Sequence, residues 1–371
     1  MVRTTSELNG HPWVGLADLD CEGTVPPNAR AVSLYAADGT PLGSGIYDAR
    51  DPRAAWRRFS LAEGVDWSMD YIVEALQAAI ARRPEEACQR LVSSDADYLP
   101  GLIVELYQDV LLVSAETAAV EAHLESILEV LQEGYQPREI VVRSDSAQRS
   151  AYGLSTDVRT LSGNRLKGYW IEVDGLQYRI DLLNTGKPCF HLDQREQHAL
   201  VGSLCAERRV LDCSTSVGGF ALQALQQGAC GAVALDVDPM AVKAIGANAQ
   251  KNGLSVDALA TDVSAYLGSC EAGRFDAIVL DPPATLAADA AALAALQRQA
   301  FAIVPPGGLL ATYCRDVELS AQAFESLLAA AAAAVGREAR IFARTAQPFD
   351  FPMLLRLPQS QALKGLIVQV E

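Results

Sequence analysis

Up to about residue 70 the apolar positions fall in short runs cut by Gly, Pro and Asp, as in AVSLYAADGTPLGSGIYD and residues 56–60. Such runs predict β-strands, and Asp38-Gly39 between two of them predicts a hairpin turn. Residues 1–70 therefore read as a small β barrel or sheet. Over 71–83 the rhythm changes: Ile72, Leu76, Ala79 and Ile80 recur at helical spacing. Two strands follow in LPGLIVELYQDVLLVSAE, then a helix over 118–134, a strand over 139–142, and a hairpin over 169–183 around Asp174-Gly175. Residues 71–185 thus form an expected α+β unit, and no repeat of solenoid period interrupts it.

Beyond about residue 186 strand-like and helix-like runs alternate. RRVLDC, GAVALDV, FDAIVLD and GGLLATYC are separated by helical stretches over 220–227, 239–252 and 287–304. A βαβα order implies a mostly parallel, doubly wound, Rossmann-like α/β sheet over 186–371. Ligands of such sheets bind beyond the carboxyl ends of the strands.

Composition narrows the functional classes. The 371 residues are 50% apolar and 20% charged, which fits a packed chain and excludes a largely disordered one. The formal charge of −16 repels phosphate backbones, so a nucleic-acid site has to be a local basic patch. The Ala-rich run 327–335 is far shorter than the roughly 20 apolar residues of a membrane span and reads as one buried or amphipathic helix. The opening MVRTTSELNGHPW carries no apolar core and predicts no secretory signal. Eight cysteines without a CxxC pair and four scattered histidines predict reduced thiols, a cytoplasmic location and no metal site.

The candidate chemistry sits where successive strands end. Asp212-Cys213-Ser214-Thr215-Ser216-Val217-Gly218-Gly219-Phe220 opens a helix, and its glycines permit a close backbone approach to a ligand. This is not GxGxxG, which argues against a nicotinamide dehydrogenase. A loop that starts with Asp suits a ligand with a positive centre. Asp236 closes the next strand, where a carboxylate can accept from both ribose hydroxyls. Asp262 follows a weaker run and could accept from an adenine amino group. Asp281-Pro282-Pro283 closes another strand. Singly, each is an ordinary turn or N-cap. Their recurrence on strand after strand describes a site for adenosine with a cationic amino-acid tail, that is, S-adenosylmethionine.

With these positions in place, the sequence resembles the bacterial rRNA large-subunit methyltransferases. Those proteins join an N-terminal PUA domain and a central α+β domain to a class I methyltransferase domain, and their best-known members make 5-methylcytidine. The resemblance spans nearly the whole chain. It rests on His11-Pro12-Trp13-Val14, Gly45-Ile46-Tyr47, Arg90-Leu91-Val92, Asp95, Asp97, Leu99-Pro100-Gly101-Leu102, Arg143-Ser144-Asp145 and Arg149. Further matches are Leu192-Asp193-Gln194-Arg195, the loop from Asp212 to Phe220, Asp236, Asn252-Gly253-Leu254, Asp281-Pro282-Pro283 and Leu363-Lys364-Gly365.

The resemblance implies that Gln194 and Arg195 contact the amino-acid end of the cofactor, along a pocket lined by Asp212, Ser214, Gly218, Gly219 and Phe220. Asp236 would hold the ribose, Asp262 the adenine, and Asp281 with Pro282 and Pro283 the floor for the target base. A PUA-like barrel would grip rRNA, and the basic segment Arg50, Arg53, Arg57 and Arg58 with Trp56 suits phosphates and a stacked base. A homodimer is left open.

Methylation at cytosine C5 needs a thiolate to add at C6, and the expected nucleophile is Cys314. Counted from Gly307-Gly308, however, the family's nucleophile position falls on Arg315, and Cys314 lies one residue early. A one-residue slip turns a strand side chain to the other face. Lys187-Pro188-Cys189 and Ala284 also depart from the family pattern. The alternatives are therefore a base-nitrogen methyltransferase, guanine N7 being one acceptor, or a non-catalytic RNA-binding or assembly factor.

Overall fold

The computed structural model describes residues 2–4, 10–21, 25–166, 168–183 and 190–371; Lys187-Pro188-Cys189 lies outside them. The chain divides into two units, Met1–Leu166 with Phe349–Ser360, and Lys167–Pro348 with Gln361–Glu371.

The first unit holds two sheets. Strands β1 (Val2–Thr4), β2 (Trp13–Val14), β3 (Leu19–Cys21), β4 (Arg30–Tyr35), β5 (Pro41–Tyr47) and β6 (Trp56–Ser60) lie in the order β2-β6-β5-β4-β1-β3. The expected Asp38-Gly39 turn joins β4 to β5, with Gly39 at φ 87°, a conformation that glycine takes without strain. Helix α1 (Met69–Ala81) starts at Ser68, whose side chain accepts from the Tyr71 N–H, and it buries Ile72, Leu76 and Ala79.

The second sheet contains β7 (Cys88–Ser93), β8 (Leu102–Tyr107), β9 (Val110–Ala115), β10 (Glu139–Arg143) and β11 (Val158–Thr160) in the order β11-β10-β9-β8-β7. The helix expected over 118–134 is two, α2 (Ala118–Glu121) and α3 (Leu124–Tyr135), parted at His123. A short α4 (Ala147–Ala151) follows β10. Residues Phe349–Ser360 return to this unit. There the Asp350 carboxylate accepts from the Arg90 N–H at 2.7 Å, and the Arg90 guanidinium lies 4.1 Å from the Phe351 ring centroid.

The second unit opens with a hairpin of β12 (Tyr169–Val173) and β13 (Leu176–Ile180). The sequence placed this hairpin in the central unit, and the structure assigns it to the second. The reason is local. Helix α5 (Arg195–Ser203), β14 (Arg209–Cys213), α6 (Gly219–Gln226), β15 (Gly231–Asp236) and α7 (Pro239–Lys251) follow; α7 carries Asn248 in its last turn and is capped by Asn252. Asn252 exchanges two 2.8 Å hydrogen bonds with the Gln177 backbone, and Asn248 Oδ1 accepts from the Arg179 N–H at 2.8 Å. Asn248 and the Asn252 of the Asn252-Gly253-Leu254 motif thus dock the hairpin.

The remaining elements are β16 (Asp257–Ala260), α8 (Val263–Ser269), β17 (Ala277–Leu280), α9 (Ala284–Ala287), α10 (Ala290–Ile303), β18 (Leu309–Cys314), α11 (Ala321–Ala334), β19 (Ala339–Ala346) and β20 (Lys364–Val370). The sheet order is β16-β15-β14-β17-β18-β20-β19, parallel but for β20, which runs against both neighbours. Central β17 and β18 are buried at every position, which accounts for their unbroken apolar runs. Edge strand β16 is mostly exposed and β19 half exposed, neither with a buried position, and their sequence signal is correspondingly weak. The 327–335 run lies almost wholly in α11, which buries Phe324, Leu328, Ala331 and Ala332. Among the described residues no helix is long and apolar enough to cross a membrane.

Candidate functional site

The carboxyl ends of β14, β15 and β17 bring Asp212, Asp236 and Asp281 to one rim of the sheet. Asp212 is fully buried; its Oδ2 accepts from the Thr215 hydroxyl and, at 3.1 Å, from the Ala221 N–H. Its Oδ1 is buried with no hydrogen-bond partner among the described residues. Burial pushes the Asp212 carboxyl up to about 7, the two hydrogen bonds oppose this, and the charges of Asp281 and Asp236 add to it.

The loop after β14 is held in an unusual shape. Ser214 at φ 63° and Ser216 at φ 54° lie in the left-handed region, as does Gly218 at φ 91°. Such strain in non-glycine residues persists only where surrounding bonds fix it. Here the Thr215 N–H donates to Leu235 O at 3.0 Å, the Ser216 N–H to Asp236 Oδ2 at 3.0 Å, and Asn248 Nδ2 to Val217 O at 2.9 Å. Asp236 also accepts from the Asp238 N–H at 2.9 Å, so its carboxylate stands at the rim in a fixed orientation. At Gly219 a Cβ would come within 2.3 Å of His198 Cε1, so only glycine permits the close approach. His198 stands edge-on to both Phe190 and Phe220, and Phe220 stacks on Tyr313 with centroids 5.3 Å apart. Burial lowers His198 to about 3, so the ring is neutral at physiological pH.

Gln194 is fully buried, and neither heteroatom of its amide has a hydrogen-bond partner among the described residues. It closes a 3₁₀ turn, Leu192–Gln194, which leads into α5 through the buried Arg195. Asp262 joins the rim through the Thr261 N–H, which donates to Asp236 O at 2.9 Å. Its own side chain is exposed and caps α8, accepting from the Ala265 N–H at 2.8 Å. Pro282 is buried, and exposed Pro283 precedes α9.

The structure does not bring Cys314 to this rim. Cys314 is fully buried in the apolar cluster with Leu310, Phe324, Leu328 and Leu366, and burial pushes its thiol up. Strand alternation is the cause: Tyr313 packs in the cluster on the opposite side with Phe220 and Ala311. Arg315, the next residue, reaches the rim. One guanidinium nitrogen bonds Asp193 Oδ2, and Nη2 bonds Asp281 Oδ2 at 3.2 Å. Burial weakens the guanidinium's hold on its proton, but Asp281 and Asp193 outweigh it and hold the charge firmly. Asp281 Oδ1 is buried with no hydrogen-bond partner among the described residues. The role of Asp193 escaped sequence reasoning because its partner lies 122 positions away; the Leu-Asp-Gln-Arg block was its only signal.

In the first unit, most of the expected RNA grip is committed to the fold. Arg57 is buried, its Nε donates to Asp95 Oδ1 at 3.0 Å, and its Nη2 bonds Asp95 Oδ2. Trp56 is fully buried and donates to Val32 O at 3.0 Å. Arg50 pairs with Asp48 at 2.6 Å and donates to Tyr152 O. Arg53 is exposed.

Comparison with known proteins agrees with this geometry. A family model for S-adenosylmethionine-dependent methyltransferases matches residues 90–366. "Ribosomal RNA large subunit methyltransferase I" of Aeromonas salmonicida is 31% identical, covering 99% of this chain and 97% of its own length. A structure from Streptococcus mutans described as a SAM-dependent methyltransferase superposes with a TM-score of 0.82 at 18% identity, over 99% of each chain. The methyltransferase structure SMU.776, complexed with SAH, gives 0.83 at 19%, over 100% of this chain and 99% of that one. The chain therefore belongs to the S-adenosylmethionine-dependent methyltransferases, in the family of ribosomal RNA large subunit methyltransferase I, and its cofactor is S-adenosylmethionine.

Proposed function

We propose that the chain methylates a base of large-subunit rRNA and that the acceptor atom is a base nitrogen. The single observation behind the nitrogen acceptor is Cys314 packed in the apolar cluster while Arg315 stands at the rim. Carbon 5 of cytosine is not nucleophilic without a thiolate at carbon 6, whereas a base nitrogen carries its own electron pair. The 5-methylcytidine expectation rests on Cys314, which is packed in the apolar cluster rather than at the rim.

The rim suits the cofactor. S-adenosylmethionine supplies a methyl group on a sulfonium centre, with an adenosine and a zwitterionic amino-acid tail. Asp212 Oδ1 is a buried acceptor for the ammonium, and the Gln194 amide offers donor and acceptor beside Arg195. Asp236 would take the ribose hydroxyls with the lone pairs its two backbone bonds leave, and Asp262 the adenine amino group. Ser214, Gly218, Gly219 and Phe220 would wall the pocket, and Asp281, Pro282 and Pro283 would floor the base. The sheet β1–β6 would act as a PUA-like grip, with exposed Arg53 as its phosphate contact. With an rRNA substrate, the expected location is the cytoplasm.

The test uses methyl-labelled S-adenosylmethionine and unmodified large-subunit rRNA, followed by digestion to nucleosides. Label is expected in an N-methylated nucleoside, with Cys314→Ala within about twofold of wild type because that thiol is not called upon. Label in 5-methylcytidine that disappears in Cys314→Ala would overturn the nitrogen acceptor. No label from protein that still binds the cofactor would favour the non-catalytic RNA-binding reading.

A further inference from the structure

Arg315 is one cation between two carboxylates from distant parts of the second unit. Side-chain exposure is 17% for Arg315, 12% for Asp193 and 10% for Asp281, so all three are largely withdrawn from water. A guanidinium presents its N–H groups in a rigid planar fork, which fixes two oxygens relative to each other as a flexible ammonium does not. One carboxylate, Asp193, adjoins Gln194 and Arg195 on the turn leading into α5. The other, Asp281, stands at the end of β17 before Pro282 and Pro283. Around Asp281 lie Arg315, Asp193, Asp212 and Tyr313. Of these named groups Arg315 is the cation, and its two ion pairs hold Asp193 and Asp281 together against their mutual repulsion.

We propose that Arg315 is a positioning residue that fixes Asp281 for the acceptor base and ties it to the turn carrying Gln194 and Arg195. The inference rests on the methyl-transfer reading above. Arg315 takes Asp281 Oδ2, and the buried Oδ1 remains to accept from an N–H of the base. The same guanidinium, through Asp193, keeps the amino-acid end of the cofactor pocket in register with the acceptor floor. In-line methyl transfer depends on that register, and a misplacement of about 1 Å can cost roughly a hundredfold in rate.

The experiment compares wild type with R315A, R315K and D193N, measuring kcat on rRNA and cofactor affinity by calorimetry. R315A is expected to lose about a hundredfold in kcat while its cofactor Kd stays within about threefold. R315K and D193N should lose about tenfold, since one keeps the charge without the fork and the other keeps only the Asp281 arm. Guanidinium chloride at non-denaturing concentration should raise kcat of R315A and leave wild type unchanged. Thermal melts establish which variants are folded; if R315A is not, R315K and D193N decide. Wild-type kcat in the folded variants would overturn the proposal. So would kcat losses matched by equal losses of cofactor affinity, with no benefit from lysine or guanidinium. A wild-type protein that binds cofactor but labels no rRNA overturns the methyl-transfer reading and this inference with it.

Discussion

Asp212→Asn is expected to weaken S-adenosylmethionine binding by roughly thirtyfold at pH 7.5, about 2 kcal/mol, the size of a lost charge-assisted hydrogen bond. The fold tolerates the change. Asparagine's oxygen can take over the bonds from the Thr215 hydroxyl and the Ala221 N–H that Asp212 Oδ2 now accepts. Its NH₂ then occupies the place of Oδ1, the buried atom proposed to receive the cofactor's ammonium, and donor meets donor. The pH dependence supplies a second signature. Because burial raises the wild-type carboxyl to about 7, a cationic ligand must displace a proton below that value. The wild-type Kd should fall by up to about tenfold per unit as pH rises toward 7, then level off. Above ~7.8 the free α-amino group loses its own proton and affinity declines again. In Asp212→Asn the acid-side slope disappears. Calorimetry at pH 6, 7 and 8 checks both. A raised folded-state value also means that the carboxyl's stabilising contribution is present at acid pH and lost as pH rises through 7. The apo wild type should therefore lose melting temperature between pH 5 and pH 8 more steeply than the variant.

The rim positions Asp212, Asp236 and Asp281 were legible because each ends a strong apolar run and is followed by turn chemistry, whereas Asp262 follows a weaker run. The strand RVLDC with the loop through Gly219, and GAVALD with its Asp, carry their roles locally. The seven-stranded order itself followed less directly: β16 and β19 are exposed edges whose side chains pack on little, so no periodicity marks them. The Asp193–Arg315 bond was illegible because nothing in either local sequence names a partner so far along the chain. The hairpin's attachment was illegible for a related reason: it is made by the side chains of Asn248 on α7 and Asn252 at its C-cap, and composition carries no record of it. Cys314 shows the opposite case. Counting positions along β18 already set it out of phase, and its apolar burial agrees with that count.

Arg57→Ala tests whether the basic segment grips RNA through Arg57, and is expected to cost about 3–5 kcal/mol of stability. Charge composition alone cannot tell a phosphate contact from a buried ion pair. In the structure the Asp95 carboxylate accepts from Arg57, from Trp13 Nε1 at 2.8 Å and from Ser94 Oγ at 3.0 Å, and the Arg57 guanidinium lies 5.3 Å from the Trp13 ring centroid. Trp13 pairs with Arg57 across β2 and β6, so the ion pair adds to the burial of Val14 in anchoring a two-residue strand. Burial alone would raise Asp95, but Arg57 with the Trp13 and Ser94 bonds brings it below the ordinary carboxylate range. Wild-type stability from this group is therefore present above about pH 4 and lost as pH falls through the lowered value. Removing the arginine leaves only burial with two neutral donors, and Asp95 then prefers its proton. The penalty of Arg57→Ala should consequently shrink as pH falls from 7 to 5, which denaturant unfolding at the two values would show. A structural arginine makes a further demand: RNA binding by the folded fraction should keep the wild-type salt slope, whereas a lost phosphate contact lowers that slope by about one. Arg53→Ala should produce that lowered slope. If Arg57→Ala lowers the slope and leaves stability unchanged, the Arg57–Asp95 pair does not hold in solution and the arginine belongs to the RNA.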